Sequence, residues 1–213
     1  MREISTVRHA WDDIAVNFDR YVTPTANWDL AKTALRLAGL KPGMEFLDVA
    51  SGSGALSLPA ARLGANVLAV DISPAMIERL KARAAEEGLS NLKGCAMDGH
   101  HLELPDNAFD MAGSQFGVML FPDFMRGLQE MIRITRPGGK VFLVAFGPVE
   151  KVEFLGLFVQ AIKAVVPDFN GISSDAPPLP FQVSGEGVLQ QKMEAAGLHK
   201  VQVMPVVHKL SFN

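Results

Sequence analysis

The chain has little to spend on extracellular or membrane chemistry. One cysteine, Cys95, rules out an internal disulfide. Its surrounding run, LKGCAM, reads as a buried strand, so a reducing compartment is expected and the protein is placed in the cytoplasm. No block of five like charges occurs, and 20 Lys and Arg against 23 Asp and Glu leave a net charge of -3. That removes the basic footprint required for nucleic acid or an anionic membrane as partner. No apolar run approaches the roughly 18 residues that span a bilayer. The charged opening, MREISTVRHAWDDIAV, lacks the apolar core of a signal peptide. The five histidines show no metal-ligand spacing, so no metal is expected. Repeats of fixed period and low-complexity tracts are also missing.

What is present is enough apolar residue, 48% of 213 positions, to fill one domain over residues 1–213. Two helical patterns, AWDDIAVNFDRYV and NWDLAKTALRLAG, occupy the first 39 residues, with Trp11, Ile14, Ala15, Phe18 and Val22 on one apolar face. From residue 44 short apolar runs alternate with helical ones: EFLDVA, NVLAVDI, LKGCAM, FDMAGSQ, KVFLVAF and KVQVMPVV. Such alternation predicts βαβ units, and therefore an α/β fold with a mostly parallel sheet between two helical layers. Ser73 followed by Pro74 marks a helix start, and RPGGKV marks a helix end before a strand. A very apolar helix follows in VEFLGLFVQAIKAVV. The irregular stretch NGISSDAPPLPFQVSGEG, residues 170–187, then reads as a binding loop or a passive excursion.

The stretch FLDVASGSGALSLPAARLGANVLAVDIS carries the chemistry. A carboxylate, Asp48, ends one strand and a glycine turn containing Gly52 and Gly54 follows. A second carboxylate, Asp71, ends the next strand. Glycines let a ligand approach the backbone, and a strand-end acid can accept hydrogen bonds from both hydroxyls of a ribose. Three uses fit: a dinucleotide, another adenosine-bearing cofactor, or plain strand–helix packing. The third glycine of a dinucleotide fingerprint falls on Ser57, and Asp48 is a poor neighbour for a pyrophosphate but a good one for an ammonium group. Asp98 ends the third strand, where it could accept from an adenine amino group.

FLDVASGSG, VLAVDISPAMI, AMDGHHLELPDNAFD and EMIRITRPGGKVF, in that order, resemble the successive motifs of the class I S-adenosylmethionine-dependent methyltransferases. The likeness is greatest to the small-molecule branch around the quinone-biosynthesis C-methyltransferases. The resemblance implies a three-layer α/β/α Rossmann-like fold. Residues 1–39 would form a helical lid and 44–147 the cofactor core. Residues 150–187 would cover the substrate side, and 188–213 would supply the last helix and strand. It implies S-adenosyl-L-methionine as cofactor, with Asp48 and the backbone of Ala50, Ser51, Gly52 and Gly54 at the methionine end. Asp71 would take the ribose, Ile72 would pack on adenine, and Asp98 and Gly99 would meet the adenine edge. Ser114 and Gln115 would lie near the sulfonium, with Tyr21 folded over the cofactor. Ala50 stands where the family usually has its first glycine.

The same resemblance implies methyl transfer to a small, partly apolar acceptor at carbon or oxygen, because SQFG replaces the NPPY-type sequence of enzymes that methylate amide or base nitrogens. No residue is assigned as catalytic base. Two other functions fit less of the pattern: a non-catalytic or impaired cofactor-binding protein, and a nicotinamide-dependent oxidoreductase. Relatives continue past the sixth strand into a final antiparallel strand, whereas this sequence stops at VVHKLSFN. A shortened C-terminus with an exposed sheet edge is therefore expected, and such an edge invites a homodimer.

Overall fold

A computed structural model describes residues 4–23, 27–166 and 178–208. In chain order it contains α1 (Ile4–Asn17), a π-helical turn (Phe18–Val22) and α2 (Asn27–Ala38). There follow β1 (Glu45–Val49), α3 (Ser57–Arg62), β2 (Asn66–Asp71), α4 (Pro74–Glu86), β3 (Leu92–Ala96) and β4 (Phe109–Gln115). The remainder is α5 (Phe124–Ile134), β5 (Thr135–Val144), α6 (Glu153–Val165) and α7 (Val188–Ala195), with short 3-10 turns at Val118–Leu120, Val149–Lys151 and Leu179–Phe181.

The strands lie in the order β3-β2-β1-β4-β5, and every pair is parallel. Period-two alternation sends Phe46, Val67, Ala69 and Met111 to one face, where they meet Leu35 of α2, Leu58 of α3 and Leu80 of α4. Leu47, Val49, Val70 and Ala112 go to the other, against Phe124, Leu128 and Met131 of α5 and Met193 of α7. Full burial of each large aliphatic side chain stabilises by about 1.5–3 kcal/mol, so these two cores fix the three-layer arrangement. The order of strands reverses between β1 and β4. A crevice therefore opens at their carboxyl ends, where ligands of open α/β sheets bind.

Local chemistry sets the ends of the elements. Ser73 caps α4, accepting from the Met76 N–H at 3.1 Å with Pro74 in the first turn, and Asp123 caps α5 by accepting from the Arg126 N–H at 2.9 Å. RPGG behaves differently from a simple helix terminator. Thr135 already pairs with Phe109, the next pairing joins Lys140 to Met111, and the residues between bulge outward through Gly138 at φ 80°. Gly113 is needed for a close approach, since a Cβ there would stand 2.5 Å from the ring of Phe142.

Three expectations are corrected. KVQVMPVV is not a strand: residues 201–208 have no regular structure, and Val203, Met204, Val206 and Val207 are exposed. A strand exists only through a ladder, Pro205 lacks a donor, and β5 is the outer strand with no further partner among the described residues. For the same reason no antiparallel strand closes the described sheet. Cys95 is exposed, because β3 is the opposite edge and only Leu92 of that strand is buried. Ile14 and Val22, placed on the apolar face, are 44% and 40% exposed, while Ala15 is buried. The first helix docks on α4 by a narrow apolar strip supplemented by polar links. Residues 170–177 of the Pro-rich stretch lie outside the described residues.

Gly113→Ala should destabilise by about 1–3 kcal/mol through overpacking against Phe142, whereas Gly147→Ala, where an added Cβ meets nothing within 4 Å, should change stability by less than about 0.5 kcal/mol. Urea unfolding followed by circular dichroism measures both.

Candidate functional site

Asp48 sits near the carboxyl end of β1 and is 1% exposed. Its Oδ2 accepts a short hydrogen bond from the Ser57 hydroxyl, and its Oδ1 has no hydrogen-bond partner. Burial, with Asp71 adding repulsion, pushes its carboxyl up to about 7 in spite of the Ser57 bonds. A buried acceptor with nothing to accept carries a desolvation cost of about 1–3 kcal/mol, more when charged, so this oxygen fits a ligand that brings a donor.

Asp71 ends β2 and is 8% exposed. Its Oδ2 accepts from the Gly52 N–H at 2.8 Å and its Oδ1 from the Ser73 N–H at 2.9 Å. Burial raises its pKa, and those two amides oppose the rise. The turn it holds is left-handed at Ala50 (φ 55°), Gly52 (φ 54°) and Gly54 (φ 101°). Ala50 occupies the left-handed region despite its Cβ, at a cost of roughly 1–2 kcal/mol, so an alanine here tightens no less than a glycine but stores strain. Ser51 is buried, and its N–H donates to Val70 O at 3.0 Å.

The N-terminal segment closes over this turn largely through Thr23, Asp12 and Asp19, which the sequence did not single out. Thr23 is fully buried, and its hydroxyl shares a 2.6 Å hydrogen bond with that of Ser53. The Phe18 ring lies 3.6 Å from where a Gly52 Cβ would stand. Asp12 of α1 accepts from the Ser73 hydroxyl at 2.5 Å and from the Ala75 N–H at 3.2 Å, and Asp19 pairs with Arg83 at 2.5 Å. Tyr21 is 59% exposed, with the Arg20 guanidinium 5.3 Å from its ring centre. Nothing local marks Thr23 or Asp12, because their partners are 30 and 61 residues away.

Beyond β3, Asp98 Oδ1 accepts from the His100 N–H at 2.9 Å and lies 2.9 Å from His100 Nδ1. The His100 ring stacks on Phe121 at 4.3 Å. Gly99 is buried against the same phenylalanine, where a Cβ would come within 2.6 Å of the ring, so only glycine fits. The loop is clamped from α5. Glu130 accepts from the Leu102 N–H at 2.8 Å, and Arg133 donates to Leu102 O and Leu104 O at 2.7 and 2.9 Å. Arg133 holds the Glu130 carboxyl below its ordinary range. A groove of about 560 Å³ between this loop and α5, lined in part by His101, Leu104, Arg126 and Arg133, is lined by none of the three acids.

At the end of β4, the buried Ser114 hydroxyl accepts from the Val118 N–H at 3.0 Å. Gln115 and Ile72 are half-buried. A Cβ on Gly117 would lie 2.6 Å from that of Ala50, so the exits of β1 and β4 touch. The structure thus gathers Asp48, Ala50, Ser51, Gly52, Gly54 and Asp71 around one turn, with Ser114 and Gly117 adjoining it. Among the described residues no cluster of His, Cys, Asp and Glu could hold a metal ion.

A parallel sheet that reverses at β1 and β4, with a strained glycine turn between two strand-end acids, defines a Rossmann-like cofactor-binding protein. Residues 47–143 match the family described as a methyltransferase domain. The chain is 33% identical over 172 residues to the demethylmenaquinone methyltransferase of Corynebacterium glutamicum, covering 75% of this chain and 71% of that protein. It is 34% identical over 176 residues to an uncharacterised protein of Mycobacterium tuberculosis, where it spans 82% of its own length and 60% of the relative's. A SAM-dependent methyltransferase structure from Aquifex aeolicus has the same fold, with a TM-score of 0.64 at 20% identity, covering 97% of this chain and 94% of that one. The chain belongs to the class I S-adenosyl-L-methionine-dependent methyltransferases, and S-adenosyl-L-methionine is the cofactor of such a domain.

The raised pKa of Asp48 makes stability depend on pH. Unfolded, the group ionises near 3.8; folded, near 7. Its contribution is therefore fully present below about pH 4 and is lost as pH rises through about 7. Asp48→Asn should remove that loss, leaving the ligand-free variant more stable than wild type by a few kcal/mol at pH 8 and level with it at pH 4. Urea unfolding of both proteins at the two pH values checks this.

Proposed function

We propose that the protein transfers a methyl group from S-adenosyl-L-methionine to a small, partly apolar acceptor at a carbon or oxygen atom. The observation that carries the reading is the partnerless buried oxygen of Asp48 beside the Asp71-held glycine turn. It suits a ligand with a cationic end, and the second lone pairs of Asp71 suit a diol. In this reading Asp48 and the backbone from Ala50 through Ser51 and Gly52 to Gly54 hold the methionine end, and Asp71 accepts from the ribose hydroxyls. Ile72 packs on adenine, and Asp98 and the Gly99 N–H meet the adenine edge. Ser114 and Gln115 line the reacting side, and Tyr21 belongs to the covering segment.

The bound sulfonium supplies an activated methyl group and an excellent leaving group. The chain then has to orient the acceptor for in-line displacement and exclude water, and it needs no covalent nucleophile. The cofactor held by Asp48, the turn from Ala50 to Gly54 and Asp71 would supply that methyl group, its thioether keeping the electron pair of the broken sulfur–carbon bond and the acceptor's proton passing to solvent. Apolarity of the acceptor is supported by the aromatic side chains beyond β4 and β5. Phe116 meets Phe146 at 4.7 Å, and Phe146 stacks on Phe181 at 5.7 Å. The name of the Corynebacterium relative, which concerns a quinone, points the same way. No helix among the described residues is long and apolar enough to cross a membrane.

Calorimetric titration with S-adenosylhomocysteine tests the cofactor part. Micromolar binding is expected for wild type, with a loss of at least tenfold in Asp71→Ala, since a charge-assisted hydrogen bond contributes about 1.5–3 kcal/mol. NADH should give no heat; binding of NADH in place of the homocysteine compound overturns the reading. Release of S-adenosylhomocysteine on adding a hydroquinone or phenol together with the methyl donor is the expected sign of transfer. Tight cofactor binding without transfer to any such acceptor would favour a non-catalytic binding protein.

A further inference from the structure

Ser57 occupies the position where a dinucleotide fingerprint carries its third glycine, and there it has a hydroxyl that is fully buried. That hydroxyl has one hydrogen, and it goes to Asp48 Oδ2. Ser57 also favours the charged carboxylate through its backbone N–H, and the two bonds act against burial and against Asp71. From β2, Asp71 repels Asp48; from α1, Asp12 acts on Asp71 in turn; from α3 itself the group on Asp48 is Ser57. Among the described residues no cation is recorded as acting on Asp48. One oxygen is thus pinned by Ser57, and the other, Oδ1, is left as the single open acceptor.

We propose that Ser57 is a positioning residue for the methyl donor: by holding Asp48 Oδ2 it fixes the carboxylate so that Oδ1 is presented to the ammonium group of the ligand's amino-acid end. The inference rests on the assignment of Asp48 to that end. The hydroxyl does two things at once. It removes the rotational freedom that would let a short carboxylate turn away, and it stabilises the charge that the ammonium requires. Below about pH 7 the carboxyl carries a proton, which an incoming ammonium must displace to solvent, so affinity rises with pH and levels off once Asp48 is ionised. Without the Ser57 hydroxyl, burial and Asp71 act with less opposition and the midpoint moves upward.

The probes are S-adenosylhomocysteine and 5′-methylthioadenosine, a nucleoside thioether that lacks the amino-acid end. Calorimetry from pH 5.5 to 8.5 should show affinity of the wild type for S-adenosylhomocysteine climbing to a plateau, with affinity for methylthioadenosine flat. In Ser57→Ala, binding of the homocysteine compound at pH 7 should fall at least tenfold and its midpoint should rise, while binding of methylthioadenosine stays within about twofold. Ser57→Thr should restore the wild-type profile. Equal loss of both probes in Ser57→Ala would mean that the turn has been damaged, and an unchanged midpoint would mean that the hydroxyl does not act on the charge; either overturns the proposal. A flat wild-type profile together with full binding by Asp48→Asn would instead remove the assignment of Asp48 itself.

Discussion

The site depends on one carboxylate receiving two amides from two different loops. Asp71 takes the N–H of Gly52, in the turn after β1, and the N–H of Ser73, at the start of α4. Parallel strands place these loops at the same edge of the sheet, but register alone does not fix a turn of seven residues. The carboxylate does, by giving left-handed Gly52 a charged acceptor at 2.8 Å. Ser73 carries the constraint outward, since its hydroxyl donates to Asp12 and caps α4 through Met76. Strand, turn, helix start and the N-terminal helix are thereby joined through two residues. The segment that covers the turn is held by the same residue that Asp71 holds.

Such a site costs stability. Two acids are buried, Asp71 adds to the burial that opposes ionisation of Asp48, and one oxygen of Asp48 has no partner. Ala50 and Phe116, both non-glycine residues, are left-handed at φ 55° on the neighbouring strand exits. Strain and unsatisfied charge at a crevice persist only where packing around them is strong. Here that packing is the pair of cores on the two faces of β1 and β4, and Gly117 pressed on Ala50. The expected gain in ligand-free stability on neutralising Asp48 follows directly: the feature that destabilises the empty crevice is the one that suits a cationic ligand.

Much of this was legible because it is local. Alternating apolar runs give five of the strands, and Ser73–Pro74 gives the start of α4. Links between distant segments leave no such trace. The Thr23–Ser53 hydroxyl pair, Asp12 on Ser73, and the Glu130–Arg133 clamp on Leu102 each join residues that no short window contains. Local composition does not report burial where position in the sheet decides it. Cys95 has a strand-like neighbourhood but lies on an edge, and KVQVMPVV has strand-like composition but no ladder to enter. Composition reports what a strand could bury, whereas the order β3-β2-β1-β4-β5 decides which strands are buried.

That order also divides the crevice chemically. On the β1–β3 side the side chains at the carboxyl edge are the acids Asp48, Asp71 and Asp98, each engaged by backbone or hydroxyl donors. On the β4–β5 side the corresponding residues are Phe116 and Phe146, backed by Phe181. Gln182 fastens that backing by donating to Met119 O and Phe121 O at 2.7 and 2.9 Å. The acidic acceptors are thus gathered on the first side and the aromatic rings on the second. On the proposed reading the methyl group crosses from one to the other at the line where Gly117 meets Ala50. An enlargement at Gly117 would then separate the reactants as well as strain the turn, because a Cβ there would come within 2.6 Å of the Ala50 side chain.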